Sequence, residues 1–120
     1  MKKILFIQYP KCSTCKKAAK WLENNNIKVE TQNIVENNPN EKEIEEWVNR
    51  SGLPINKFFN TSGKSYKELK LKDKIKTALK TELVSLLASD GMLIKRPVIV
   101  SDDFVLVGFN EEEWAKYLKK

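Results

Sequence analysis

Ile4-Leu5-Phe6-Ile7-Gln8-Tyr9-Pro10-Lys11-Cys12-Ser13-Thr14-Cys15-Lys16-Lys17-Ala18 decides how this chain is read. A short apolar run, Ile4 to Ile7, reaches Tyr9-Pro10. Cys12 and Cys15 follow, and Ala18, Trp21 and Leu22 then fall at helical spacing. The order is strand, sharp turn, Cys-x-x-Cys, helix. In that setting paired cysteines point to thiol redox chemistry.

Reactivity belongs to the thiolate, and a free cysteine with a pKa of about 8.5 is mostly protonated near neutrality. The start of a helix presents unpaired N–H groups and the positive end of its dipole, both favourable to an anion. Cys12 is expected at or just before the N-cap. Lys11, Lys16, Lys17 and Lys20 surround it, and no acidic residue precedes Glu23. Dipole and lysines are expected to lower the Cys12 pKa together. Cys15, three residues on, shares the helix face and is expected to be more buried, with an ordinary pKa. These positions make Cys12 the attacking thiol and Cys15 the resolving one.

Other uses of the pair fit less well. A disulfide across so short a loop restricts the unfolded chain little. Zinc takes about four ligands, whereas the chain has two cysteines and no histidine. The missing histidines also exclude imidazole triads and general bases. No metal or bound cofactor is expected.

At 120 residues the chain is expected to form one domain, 1–120. No apolar stretch approaches the ~18 residues that span a bilayer, so no membrane association is expected. The N-terminal apolar run has no small-residue cleavage site and reads as strand, not signal peptide. Two cysteines at redox spacing suggest a reducing, cytoplasmic setting. The charge of +6 raises nucleic acid as a partner. The lysines, however, alternate with acids along helices, apart from local patches at Lys11–Lys20 and Lys67–Lys80. Direct nucleic-acid binding is not expected, and monomer is the default.

Along the chain, strands are predicted at 3–8 and 27–34 around a helix at 13–25, a right-handed parallel βαβ unit. Asn40 and Glu43 form a capping box for a helix from 41 to about 50, which Ser51-Gly52-Leu53-Pro54 stops. Residues 55–65 read as irregular. Tyr66, Leu69 and Leu71 suggest a short helix, and Ile75, Leu79, Leu83, Leu86 and Leu87 a longer one with those leucines in its core face. Asp90-Gly91 reads as a helix C-terminal signal. A hairpin of Val98-Ile99-Val100 and Phe104-Val105-Leu106-Val107 follows. Asn110 with Glu113 caps a last helix bearing Trp114, Tyr117 and Leu118.

The ordering βαβ, helices, ββα is that of a thioredoxin-like domain with helices inserted at about 40–92. The cysteine stretch, Tyr9 to Lys17, resembles the active-site start of the arsenate reductase (ArsC)/Spx family. Ile94-Lys95-Arg96-Pro97-Val98-Ile99-Val100 is similar to that family's Arg-Pro-(Ile/Val) signature. Asn60-Thr61-Ser62-Gly63 followed by Tyr66, and Val107-Gly108-Phe109-Asn110-Glu111, match in order and spacing, so the resemblance covers essentially the whole chain. It implies an α/β, glutaredoxin-like mixed sheet of about four strands with flanking helices. It also implies that Pro97 is a cis-proline beside the cysteine loop, with Arg96 held near Cys12 to stabilise a thiolate or bind an oxyanion.

On this basis the candidate catalytic residues are Cys12, Cys15 and Arg96. The candidate substrate-binding residues are Lys11, Ser13, Thr14, Lys16, Ser62 and Pro97. The chain also departs from the pattern. Glutathione-coupled arsenate reductases resemble it but carry one essential cysteine followed by an arginine, and use three arginines to hold the oxyanion. Here Ser62 stands where the middle arginine would be, and the last is missing near Val107-Gly108. Charge-assisted contacts are worth roughly 1.5–3 kcal/mol each, so arsenate should bind weakly.

Two functions are therefore expected. The first is a thiol-disulfide oxidoreductase acting on disulfides or glutathione mixed disulfides, with glutathione or thioredoxin as electron donor. The second is a Spx-type regulator that binds the C-terminal domain of the RNA polymerase α subunit. Gly52 falls where those regulators have a glycine at the polymerase contact, though it also reads as a plain helix cap. The Asn-Thr-Ser-Gly-x-x-Tyr stretch, and the end of the sequence at Lys120 without the longer tail of Spx-type chains, favour the oxidoreductase.

Overall fold

A computed structural model describes residues 4–61 and 63–119, without the side chains of residues 64 and 65. The chain resolves into two compact units. One comprises Met1–Asn33 with Arg96–Lys120, and the other Ile34–Lys95.

The first unit is built on a mixed four-stranded sheet. Strand β1 (Leu5–Gln8) leads into helix α1 (Ser13–Asn24) and then strand β2 (Glu30–Asn33). Strands β3 (Val98–Val100) and β4 (Val105–Val107) and helix α6 (Glu111–Leu118) come from the C-terminal segment. The sheet order is β2-β1-β3-β4. β1 and β2 run parallel, as a helical crossover requires. β3 lies antiparallel to both β1 and β4, with Ile7 opposite Val98. This is the thioredoxin-like α/β architecture expected from the sequence.

Burial explains the pattern. Val98, Ile99 and Val100 are buried on both faces of β3, the continuous apolar run of an interior strand. β2, an edge strand, is polar throughout (Glu-Thr-Gln-Asn) and shorter than the predicted 27–34. Ile27 and Val29 lie before it and pack on the core instead. Helix α1 buries Cys15, Ala18 and Leu22 at spacings of three and four. Ala18 and Leu22 join Phe6, Ile99, Leu106 and Trp114 in one cluster. Trp114 is fully buried, its ring edge-on to Phe6 and Phe109, and its indole N–H donates to the Gly108 carbonyl at 3.1 Å. Burying each large apolar side chain is worth about 1.5–3 kcal/mol.

In the second unit, helix α2 (Glu41–Ser51) opens with the predicted capping box. Asn40 Oδ1 accepts from the Glu43 N–H at 2.8 Å, and the Asn40 N–H donates to Glu43 Oε1 at 3.2 Å. The helix ends at Gly52 in the left-handed conformation, φ 71°.

The stretch read as irregular, 55–65, is more ordered than that. Ile55–Phe58 forms a 3-10 turn, and Phe59 bridges to Ile94 in antiparallel fashion. The two helices predicted beyond it are three: α3 (Lys64–Glu68), α4 (Leu71–Thr77) and α5 (Lys80–Ser89). Lys70 adopts a left-handed conformation, φ 53°, and Ala78 and Leu79 are extended. These residues divide a run that contains neither glycine nor proline. Leu79, expected in the core face, falls in the second break and is 68% exposed.

Helix α5 ends at Asp90-Gly91 as predicted, but not through a left-handed glycine. The φ of Gly91 is not positive. A Cβ there would lie 2.5 Å from the Ile34 carbonyl oxygen and 2.8 Å from Asn38 Oδ1, so the glycine is required by close approach. Among the described residues no helix is long and apolar enough to cross a membrane.

Candidate thiol site

The N-cap of α1 is Cys12, with extended backbone at φ −87° and ψ 120°. Its N–H donates to the Tyr9 carbonyl at 3.0 Å, and its carbonyl accepts from the Lys16 N–H at 3.1 Å. The turn from Tyr9 to Cys12 is therefore closed by main chain at both ends. Pro10 adds rigidity by disfavouring helical backbone at the residue before it. Cys12 is half-buried and Cys15, one turn on, is buried; both are free thiols.

Arg96 and Pro97 reach this turn from the start of β3, which pairs with β1. The Arg96–Pro97 peptide is cis, as the family resemblance implied. The Pro97 carbonyl accepts from the Gly108 N–H at 2.8 Å. The Arg96 guanidinium hydrogen-bonds Cys12 and lies over the Tyr9 ring, 5.4 Å from its centroid.

The two thiols are driven apart in acidity. Burial opposes ionisation of Cys12. The Cys15 main-chain N–H, the Cys15 thiol and the Arg96 guanidinium together outweigh it and hold Cys12 below the ordinary thiol range. The Cys12 side chain closes no cap hydrogen bond of ordinary geometry; the Cys15 N–H acts on its charge as a nearby donor. Cys15 is pushed up to about 12. Burial is the main cause, and its hydrogen bond to Cys12 and the charge there add to it. A main-chain hydrogen bond at Tyr9 and the Arg96 charge only partly offset them.

Two expectations are corrected by this arrangement. The lowered Cys12 pKa does not come from the neighbouring lysines. Lys11, Lys16, Lys17 and Lys20 are exposed, and water screens such charges. The effective cation is Arg96, as the family resemblance implied. Cys15 does not keep an ordinary pKa, because its burial is nearly complete at 1% exposure.

Of the candidate residues, Cys12, Cys15 and Arg96 converge, with Pro97 buried next to Arg96. Ser13 and Thr14 are exposed in the first turn of α1, and Lys11 is exposed in the preceding turn. Lys16 lines a groove of about 480 Å³ beside α1, together with Cys15, Pro10, Leu22 and Val29. Ser62 lies outside the described residues. Gly52, the candidate partner contact, caps α2, and a Cβ built there meets nothing within 4 Å. Tyr9 was absent from the candidates, and no local pattern marks it, because its contact is with a residue far along the chain. Among the described residues no group of three or more His, Cys, Asp or Glu is placed to hold a metal ion.

A family model described as the ArsC family matches residues 7–117. The chain belongs to the ArsC family. It is 46% identical over 113 residues to the uncharacterized protein YusI of Bacillus subtilis, covering 94% of this chain and 96% of YusI. Global transcriptional regulator Spx 2 of Bacillus anthracis is 27% identical over 109 residues, covering 91% and 82%. Among solved structures, an ArsC family related protein from Bacteroides fragilis superposes with a TM-score of 0.93 at 55% identity, covering 95% and 96%. A possible arsenate reductase from Streptococcus mutans gives 0.84 at 42% identity, covering 92% and 93%. This ArsC family member thus has both reductase-like and regulator relatives.

Proposed function

We propose that this ArsC family protein is a thiol-disulfide oxidoreductase with Cys12 as nucleophile and Cys15 as resolving thiol. The observation that carries the reading is the placement of Cys12, partly exposed, at the N-cap of α1 beside Arg96, with Cys15 buried one turn on, so that the first thiol's pKa is lowered and the second's raised. An attacking thiol needs to be thiolate at working pH, and the second thiol needs to stay protonated until the first has reacted.

The Cys12 thiolate attacks one sulfur of a substrate disulfide. A mixed disulfide forms, and the other substrate sulfur leaves as a thiolate that takes a proton. The negative charge on Cys12 is then gone. Both contributions of Cys12 to the raised Cys15 pKa disappear with it, while Arg96 and the Tyr9 main chain still favour the Cys15 thiolate. Cys15 loses its proton to the departing thiolate or to water and attacks Cys12. The substrate's second thiol is released, and a Cys12–Cys15 disulfide remains. Two electrons have passed from the dithiol to the substrate. An external thiol, glutathione or a thioredoxin, returns them.

Arsenate is a poor fit as substrate. The chain has two arginines, Arg50 and Arg96, and only Arg96 belongs to the unit that carries the cysteines. One guanidinium already engaged with Cys12 offers little to a multiply charged oxyanion.

The test is Cys15→Ser, which removes the resolving thiol and should leave Cys12 joined to whatever it attacks. Reductant-released thiol proteins, or glutathione on Cys12, support the oxidoreductase. A Cys12 that traps nothing and resists mild oxidants sinks it.

A second reading has one observation in its favour: relatives that are transcriptional regulators align over most of the chain. On this reading Gly52 contacts the RNA polymerase α subunit. The helix cap alone accounts for a glycine at φ 71°. A Gly52→Arg variant therefore needs Gly52→Asn, which tolerates that backbone, as its folding control. Non-covalent polymerase binding lost with Arg and kept with Asn would establish the regulator.

A further inference from the structure

We infer that Tyr9 is a positioning residue whose ring face keeps the Arg96 guanidinium on the Cys12 sulfur. The inference rests on the reading of Cys12 as the attacking thiol and adds to it the group that aims its cation.

Three observations lead there. The Arg96 guanidinium carbon sits 5.4 Å from the Tyr9 ring centroid, within the range at which a cation is drawn to the negative face of an aromatic ring. The same guanidinium hydrogen-bonds Cys12. The Tyr9 carbonyl, in turn, receives the Cys12 N–H at 3.0 Å. One residue therefore braces the cysteine through its main chain and the arginine through its ring. An arginine side chain has many rotamers, and holding it in one costs conformational entropy. A guanidinium drawn to the face of a ring gives up part of that freedom before the thiolate forms, and keeps N–H groups for hydrogen bonds. The ring is also placed by local structure. Tyr9 directly follows β1, and Pro10 restricts its backbone to extended conformations.

Main-chain bonds at residue 9 survive a change of side chain, so substitution there isolates the ring. The experiment measures Cys12 alkylation by iodoacetamide against pH in Cys15→Ser protein, where Cys12 is the only thiol. It compares Tyr9, Tyr9→Phe and Tyr9→Leu, each with Arg96 and with Arg96→Ala. Tyr9→Leu should move the Cys12 midpoint upward and slow alkylation at neutral pH about threefold. Tyr9→Phe should keep most of the parent rate. With Arg96→Ala, Tyr9→Leu should have no further effect, since the ring acts only through the guanidinium.

An unchanged midpoint in Tyr9→Leu overturns the inference. So does a shift of equal size with and without Arg96, which would mean that the ring merely supports the turn. If Tyr9→Leu does not fold, pentafluorophenylalanine at position 9 preserves shape while reversing the charge of the ring face. A midpoint above that of Tyr9→Phe then supports the inference, and an equal one overturns it. The readout uses no protein substrate. Failure to trap a disulfide partner would sink the oxidoreductase reading and leave Tyr9 to be judged on these midpoints alone.

Discussion

Cys15 supplies Cys12 with both a main-chain N–H and a thiol hydrogen bond, and the charge it helps to stabilise on Cys12 holds its own proton in place. The two sulfurs are reciprocal: whatever makes the first a better thiolate makes the second a worse one until the first is consumed.

Removing the cation should show directly in Cys12 chemistry. Burial disfavours the thiolate and Arg96 is one of the groups that overcome it. Arg96→Ala should therefore move the alkylation midpoint upward and slow alkylation near neutrality by about tenfold, a figure reduced from that of a fully buried charge-assisted bond because Cys12 is partly exposed. Lys16→Ala or Lys17→Ala should leave the midpoint in place. A lysine variant matching Arg96→Ala would return the role to the surface charges.

The buried thiol makes stability depend on pH in the alkaline range. Below the ordinary thiol value of 9.0, folded and unfolded chains both keep the Cys15 proton. Above it the unfolded chain releases the proton while the folded protein holds it to about 12. The unfolded state then binds fewer protons, so stability falls as pH rises, by at most about 1.4 kcal/mol per pH unit. Reduced wild type should lose stability relative to Cys15→Ala between 9.0 and about 12. Urea unfolding of the pair across that range measures the difference; parallel curves would contradict it.

Gly91→Ala should destabilise the Ile34–Lys95 unit by about 1–3 kcal/mol, a typical cost of overpacking. Its Cβ would press on the Ile34 carbonyl and on Asn38. Asn38 is held in turn, its side-chain amide donating to the Ala88 carbonyl at 2.7 Å. A lower urea midpoint with unchanged Cys12 alkylation is the expected result.

Asn40→Ala should cost about 1 kcal/mol, because the capping box at α2 loses its side-chain acceptor. Asn40→Asp should retain most of it. Thermal unfolding of the two variants separates the cap from a general effect of substitution.

Much of this was legible because it is local. The Cys12 cap, the Asn40–Glu43 box, the Asn110 cap and the β-branched strand after Pro97 are short-range patterns, and the structure contains each of them. One break beyond Tyr66 was legible from the apolar spacing, but its place at Lys70 and the second break at Ala78 and Leu79 were not. Lys70 turns left-handed, and Ala78 and Leu79 extend, without any residue that announces a turn. The source of the Cys12 acidity was misread for the opposite reason. The local pattern points to four lysines close in sequence, whereas Arg96, far along the chain, is reached only through the family resemblance. A side chain that snorkels into water is screened however near its Cα lies. The contact that places Arg96 on the Tyr9 ring depends on β3 pairing with β1, which no local pattern records.

That strand pairing also divides the labour of the chain. Among the described residues, the groups that set the acidity of the two sulfurs (Tyr9, Cys12, Cys15 and Arg96) belong to the unit of Met1–Asn33 and Arg96–Lys120. The described residues of the segment between them, Ile34–Lys95, contribute none of these groups. The segment can therefore diverge in sequence without rewiring the thiols. Substitutions in that segment that preserve its fold should leave the Cys12 alkylation midpoint in place.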